Sequence, residues 1–473
     1  MPIMAIIDTA ERFLPQRLRT RLTPWRARLA GTLENDGETA RAQGQALTAF
    51  AIRIVSAAIA FVSQIILARL MGEFEYGIFA FVWVLVILGG SLSCLGFQSS
   101  VIRFLPHHEA LGDLAAARGL NVTARLSALI SATVLAAIGF LVLELFPHLF
   151  ETYWLVPLFL ALATLPMIAL GDVLDGTARA NGWTMTALSP TFLARPTLIL
   201  VFMVAAVWMG APDTAVTAMQ SALAATYLTT LVQYVRLRRR LRHTYGQGKL
   251  RLEPAEWLAY TLPIFLIDGI GFLLTNADVV VVGLYLPPDQ VGIYFAATKI
   301  IVLVQFVAFA VKAAAGPRFS ILLATDDRAA LADFAGQAAR WSFWPALVIG
   351  LTLLLLGRQL LALFGEAFTE GYWLLPILFA GILAKALIGP GEVLLSMAGH
   401  QKLCVLVYGV VLVASILLNI ILIPRYGLTG AAIATAIAMM IETLLLHLAL
   451  RRTLGIVLFA LVRHHPSAHS KAA

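Results

Sequence analysis

Nine ionisable side chains sit where an apolar sequence tolerates them poorly. Arg53, Arg195, Lys299 and Lys385 lie inside long runs of Leu, Val, Ile, Ala and Phe, and so do Asp268, Asp278 and Glu442. Asp172 and Glu392 stand near the ends of such runs. A charge at the centre of a membrane helix costs about 2.5–3.5 kcal/mol on insertion scales, so each position asks for a compensating interaction. Three kinds of chemistry supply one. A guanidinium grips phosphate oxygens with a bidentate fork, and an ammonium attracts them as a point charge. Cations and carboxylates also neutralise each other; Arg53 or Lys299 paired with Asp268 or Asp278 would tie distant parts of the chain together. Finally, a carboxylate withdrawn from water can take up and release a proton, which makes Asp268 and Glu442 candidates for ion coupling.

The elements that hold these side chains are membrane helices. Of 473 residues, 60% are hydrophobic and 13% charged, where a globular chain carries about a quarter charged. Mean hydropathy is +0.87. A span needs about 20 mostly apolar residues, and twelve such runs are read: 47–69, 77–98, 123–146, 153–174, 186–209, 213–235, 257–282, 290–313, 339–362, 372–395, 402–423 and 428–450. Pro157, Pro166, Pro190, Pro196, Pro263, Pro376 and Pro390 are positioned to kink them, and Gly269-Ile270-Gly271 to loosen one.

Basic residues set the orientation. Seven Arg precede span 1; Arg236, Arg238, Arg239, Arg240 and Arg242 follow span 6; Arg318 and Arg328 follow span 8; Arg451 and Arg452 follow span 12. The opposite connections carry Glu73, Glu75, Glu151, Asp213, Asp289, Glu366 and Glu370, with Arg425 the exception. Both termini are therefore expected in the cytoplasm, and the net charge of +8 reflects these loops rather than nucleic-acid binding. Residues 1–46 read as a basic segment with an amphipathic interfacial stretch, since Ile3, Ile7, Leu14, Leu18 and Leu22 form a stripe with Arg12, Arg17, Arg19 and Arg21 off it. No cleavable signal peptide is read at the start.

The chain repeats itself. Gly77-Ile78-Phe79-Ala80 opens span 2, and Gly292-Ile293-Tyr294-Phe295-Ala296 opens span 8. Gly171-Asp172-Val173-Leu174 ends span 4, and Gly391-Glu392-Val393-Leu394 ends span 10. Arg238-Arg239 follows span 6 as Arg451-Arg452 follows span 12. Six spans per half put both halves in the same orientation, which implies a pseudo-two-fold axis along the membrane normal and a site between the halves. The expected architecture is all-α, with about twelve transmembrane helices in two parallel six-helix bundles around a central cavity. Residues 47–235 form the first bundle, 236–256 a basic cytoplasmic linker, 257–452 the second bundle and 453–473 a cytoplasmic tail.

The junctions carry a family resemblance. Ala68-Arg69-Leu70-Met71-Gly72 with Glu75-Tyr76-Gly77-Ile78-Phe79-Ala80 resembles the span 1 to span 2 junction of polysaccharide repeat-unit flippases, the O-antigen and exopolysaccharide exporters of the multidrug/oligosaccharidyl-lipid/polysaccharide superfamily. Val101-Ile102-Arg103-Phe104-Leu105-Pro106 is similar to the segment after span 2, and Asp278 to Gly283 with Val291-Gly292-Ile293-Tyr294 to the junction of spans 7 and 8. Leu418-Asn419-Ile420, Leu422-Ile423-Pro424 and Tyr426-Gly427-Leu428-Thr429-Gly430-Ala431-Ala432 resemble the span 11 to span 12 junction. The resemblance covers about residues 45–452. It implies a flippase of the bacterial inner membrane that moves polyprenyl-pyrophosphate-linked oligosaccharide outward by alternating access, with polymerase and other assembly proteins as partners. With such a substrate, Arg53 and Lys299, then Arg195 and Lys385, become the expected anionic-headgroup site, while Asp268, Asp278 and Glu442 serve ion coupling or internal pairing. The related peptidoglycan-precursor flippases usually carry two further C-terminal spans. Here only a short apolar stretch, Leu454 to Val462, follows Arg452.

Two other functions compete. A membrane glycosyltransferase or polymerase needs a sizeable outward loop for its active site, and the outward connections are about ten residues or shorter. The chain has no Walker loop, His-Glu-x-x-His motif or nucleophile elbow, so no enzyme activity, metal or cofactor is expected. A drug or cation antiporter of the same superfamily would favour a cavity dominated by carboxylates, whereas four basic residues share these span interiors.

Overall fold

The computed structural model describes residues 38–461 apart from 247 and 326, with side chains from Ile52 onward. The amphipathic stretch expected near the N-terminus lies outside the described residues. Within them the chain is helical. α1 (Glu38–Ser93) is two helices that meet at Gly72. α2 (Phe97–Ala110), α3 (Leu114–Leu145) and α4 (Thr152–Ala180) follow. α5 (Thr184–Ser189) continues through a π turn, Pro190–Ala194, into α6 (Arg195–Trp208). Next come α7 (Ala215–Tyr245), α8 (Pro254–Tyr285), α9 (Pro288–Ala324), α10 (Arg328–Leu355) and the short α11 (Gly357–Ala362). A 3-10 turn, Ala367–Trp373, leads into α12 (Leu374–Ile388), then α13 (Gly391–Met397) and α14 (Gln401–Leu454). Ten stretches are long and apolar enough to cross a membrane; two of them, broken at Gly72 and Gly427, each make two crossings, which gives twelve among the described residues. Both breaks use a positive φ, 74° and 58°, which glycine adopts without a Cβ clash.

Several boundaries differ from the sequence-based expectation, each for a physical reason. α7 runs ten residues past the expected span end, to Tyr245. Leu237, Leu241 and Tyr245 recur every fourth residue and are buried, so the basic run is an amphipathic helix end and not a loop. The expected span 372–395 stops at Ile388, because Gly389 takes φ 52° and Pro390 disfavours a helical residue before it. The last carbonyls of a helix lack intrahelical partners, and the amide of Ala460 donates to Leu387 O at 2.8 Å. That bond fixes the apolar stretch after α14. Ile456, Leu458 and Ala460 alternate in an extended strap and are buried under α12, so residues 455–461 are neither a span nor a loose tail.

The two halves meet at the end opposite the basic loops, and the repeated motifs make the contact. A Cβ on Gly77 would lie 1.7 Å from Pro288 O, and one on Gly292 would lie 2.5 Å from Glu73 O. Backbones approach this closely only where both motifs carry glycine, the usual device at membrane helix crossings. Around it, Tyr76 stacks edge-on against Phe295 and Phe368. Arg69 donates to Leu363 O (2.6 Å) and Ala362 O (3.1 Å). We predict that Gly77→Val opens this end. In protein with Cys94 and Cys404 replaced by Ser, spin labels at Phe74→Cys and Gln290→Cys should report a longer, broader distance distribution; an unchanged distribution would show that this contact does not hold the halves.

Candidate functional site

Towards the basic end two cavities lie against Arg53. The first, about 610 Å³, lies largely in the N-terminal half and is lined by Arg53, Gln64, Ser91, Asp172, Asp175, Arg179, Arg195 and Asp268, with Trp83 and Phe192 among its apolar walls. The second, about 380 Å³, lies in the C-terminal half and is lined by Arg53, Gln305, Lys312, Lys385, Glu392 and Glu442. Arg53 is exposed at their shared edge, with its guanidinium 4.2 Å from the centroid of the Phe192 ring.

Local structure places the first set. Pro196 cannot donate a backbone hydrogen bond and its ring crowds the carbonyl four residues earlier. The chain answers with the π turn, in which the amide of Arg195 donates to Pro190 O. Such π segments recur at functional sites because they re-aim one side chain. Arg195 is 6% exposed, and its Nε has no hydrogen-bond partner. A Cβ on Gly171 would lie 3.1 Å from Arg195 Nη2, so glycine in the Gly171-Asp172 motif makes room for the guanidinium. Asp172, Asp175 and Arg179 sit three and four residues apart along α4, hence on one face. Asp172 accepts from Ser91 Oγ at 2.9 Å, and Asp175 pairs with Arg179 at 2.9 Å.

The C-terminal half answers with its own pairs. Lys385 contacts Glu442 at 2.9 Å. Lys312 pairs with Glu392, which also accepts from the Tyr408 hydroxyl. Thus the repeated Gly-acidic motif lies inside the last third of α4 beside an arginine in one half and, in the other, opens α13 beside a lysine and a tyrosine.

The seven residues assigned headgroup, coupling or pairing roles from sequence are not one cluster. Arg53 and Arg195 share the first cavity, and Arg53 and Lys385 the second. Lys299 lines neither; its ammonium lies 4.1 Å from the centroid of Phe295, an aromatic of the closed end. Asp268 binds Ser99 Oγ (2.6 Å) and Gln98 Nε2 (3.1 Å), joining α8 to α2. Asp278 accepts from Tyr294 at 2.9 Å, and that hydroxyl also contacts Thr435 at 3.1 Å. Neither carboxylate forms a salt bridge with Arg53 or Lys299 among the described residues. Sequence reasoning did not single out Asp175, Arg179, Lys312 or Tyr408. The spacing Asp172, Asp175, Arg179 on one helical face was the available signal for the first two.

Twelve crossings in two parallel halves, packed together at the end opposite the basic loops, joined again where α8 meets α2, and holding charged cavities towards the basic end, define a multi-pass membrane fold. The chain belongs to the polysaccharide biosynthesis protein family, whose model matches residues 45–323. A comparison with curated protein sequences finds no match. Among solved structures it is similar in fold to the lipid II flippase MurJ in an inward closed conformation, at 16% identity and TM-score 0.68 over 86% of this chain and 87% of that one. It is also similar to an inward-facing multidrug resistance MATE family transporter of the MOP superfamily, at 15% identity and TM-score 0.64 over 85% and 94%. The MATE multidrug transporter DinF-BH aligns at 17% identity and TM-score 0.60 over 89% and 96%.

Proposed function

We propose that the chain is a flippase that moves polyprenyl-pyrophosphate-linked oligosaccharide from the cytoplasmic to the periplasmic leaflet of the bacterial inner membrane, by alternating access. The observation that carries this reading is Arg53, an exposed guanidinium at the rim of two charge-lined cavities, with no salt bridge among the described residues. A pyrophosphate offers several oxygens for a guanidinium fork. Its polyprenyl tail stays in lipid, because each methylene brought into water costs about 0.8 kcal/mol. Membership of a polysaccharide biosynthesis family supports a sugar-bearing substrate. Arg195 and Lys385 then flank the headgroup path, while Lys299 belongs to the end that must open for release. Polymerase and other assembly proteins act on the product; no enzyme step is assigned to the chain itself.

The test is translocation in proteoliposomes containing a fluorescent polyprenyl-pyrophosphate oligosaccharide, with a membrane-impermeant quencher reporting leaflet exchange. Protein-dependent exchange of this lipid but not of a neutral lipid supports the proposal. A drug antiporter is the competing reading, favoured by Asp172, Asp175 and Asp268 in the first cavity. Exchange of a cationic dye for protons without lipid flipping would establish it instead.

The direction of transport rests on orientation. Reporter fusions after residues 243 and 325 are expected to report cytoplasm, and fusions near 288 and 368 periplasm. A periplasmic signal at 243 would invert the assignment.

A further inference from the structure

A third cavity, about 600 Å³, lies apart from the central pair and shares no lining residue with them. It sits on the flank of the N-terminal half between α3 and α7, near the basic end. Arg118, Arg125, Arg238 and Arg242 line it together with Tyr234 and Tyr245, and no carboxylate does.

Each part of its construction follows from neighbouring packing. The segment after α7 folds back over α3: Arg251 N donates to Ala115 O at 3.1 Å, and a Cβ on Gly119 would lie 1.8 Å from Arg251 O. Arg251 pairs with Asp113 at 2.6 Å. Arg118 spends its donors on this rim, on Tyr245 O (2.7 Å) and Lys249 O (3.1 and 3.2 Å). Arg125 is different. Its Nε donates to Asn121 O at 2.7 Å and its guanidinium lies 5.9 Å from the Tyr234 ring centroid, which leaves both terminal nitrogens for another partner. Arg238 and Arg242 are exposed and form no salt bridge among the described residues. Asn121, 3% exposed, lines the same cavity and leaves its Oδ1 without a hydrogen-bond partner. Beside this polar group the walls are apolar and outward-facing: Leu126 is 52% exposed, Leu231 49% and Leu250 50%.

Three uncommitted guanidinium groups beside an exposed leucine wall match one kind of molecule, an anion attached to hydrocarbon. We propose that this flank is a binding site for an anionic phospholipid of the leaflet at the basic end, with the phosphate held by Arg125, Arg238 and Arg242 and an acyl chain along Leu126 and Leu231. Basic pockets between membrane helices recognise acidic headgroups by the same combination. The site is separate from the transport path, so an anionic lipid here accompanies the transporter without being its cargo.

Native mass spectrometry of the full-length purified protein tests this, with phosphatidylglycerol, phosphatidylcholine and inorganic phosphate as probes. Wild type is expected to bind its first phosphatidylglycerol more tightly than phosphatidylcholine. Arg238→Gln combined with Arg242→Gln, both exposed, should weaken that binding about tenfold or more, given the contribution of each surface arginine to anionic-lipid attraction. Arg125→Lys should retain most of it. Equal affinity for phosphatidylcholine, unchanged binding in the double variant, or displacement of the lipid by inorganic phosphate alone would each overturn the proposal.

Discussion

Arg53→Ala is expected to remove most polysaccharide output per inserted molecule, while Arg53→Lys retains a measurable fraction. Hydrogen bonds to charged groups are worth about 1.5–3 kcal/mol each, so losing the guanidinium should cost roughly 10- to 100-fold in export. Lysine keeps the charge but not the fork. Protein abundance should stay normal in both variants, because Arg53 is exposed and Asp175 already has Arg179 as its partner at 2.9 Å. For the same reason, a second change at Asp268 or Asp278 should not rescue Arg53→Ala: each carboxylate has its own hydrogen-bond donors, Ser99 and Gln98 in one case, Tyr294 in the other. The measurement is polysaccharide output normalised to inserted protein in a strain lacking the native copy. Wild-type output from a normally abundant Arg53→Ala protein would remove Arg53 from the substrate path.

Lys385→Ala should instead strike the fold. Glu442 is buried, with its side chain 4% exposed, and Lys385 is its partner at 2.9 Å. Breaking a fully buried pair costs about 3–5 kcal/mol; with the Lys385 side chain 39% exposed to its cavity, the loss here falls towards the lower end of that range, still a large part of the stability of a domain. Replacing both members with apolar residues removes that penalty, so Lys385→Met with Glu442→Leu should recover abundance. Inserted protein and the unfolding midpoint in detergent read both effects. Should Lys385→Ala insert and melt like wild type yet lose export, Lys385 serves the substrate and not the pair.

The helices and their order were legible because hydropathy in a lipid solvent is a one-dimensional property: a run of apolar residues long enough to cross is a span wherever it packs. The repeat was legible for a related reason, since its motifs sit at junctions where backbone geometry requires particular residues. Gly77 and Gly292 occupy matching positions in two halves, and the fold brings them against each other. Boundaries were harder to read. Nothing in the hydropathy of 372–395 announces that the helix stops at Ile388, and the stop depends on Gly389 and Pro390 together with a strap that returns from beyond α14. The basic run after residue 235 reads as a loop from sequence because its charge outweighs the stripe of Leu237, Leu241 and Tyr245, which the fold buries.

By itself, then, the sequence determined that this is an all-helical membrane protein of two parallel halves, and which charges are placed in spans at a cost. It did not determine the partners of those charges. A membrane charge is stabilised by whatever faces it from another helix, and that depends on rotation and depth, which spacing along one helix does not encode. Only the tertiary structure divided the candidates: Lys385 bound to Glu442, Asp268 held by Ser99, Asp278 by Tyr294, Lys299 set over Phe295 at the closed end, and Arg53 left at the rim of both cavities. The flank between α3 and α7 was hidden for the same reason, since its arginines come from helices about a hundred residues apart and meet only when the linker folds back over Gly119.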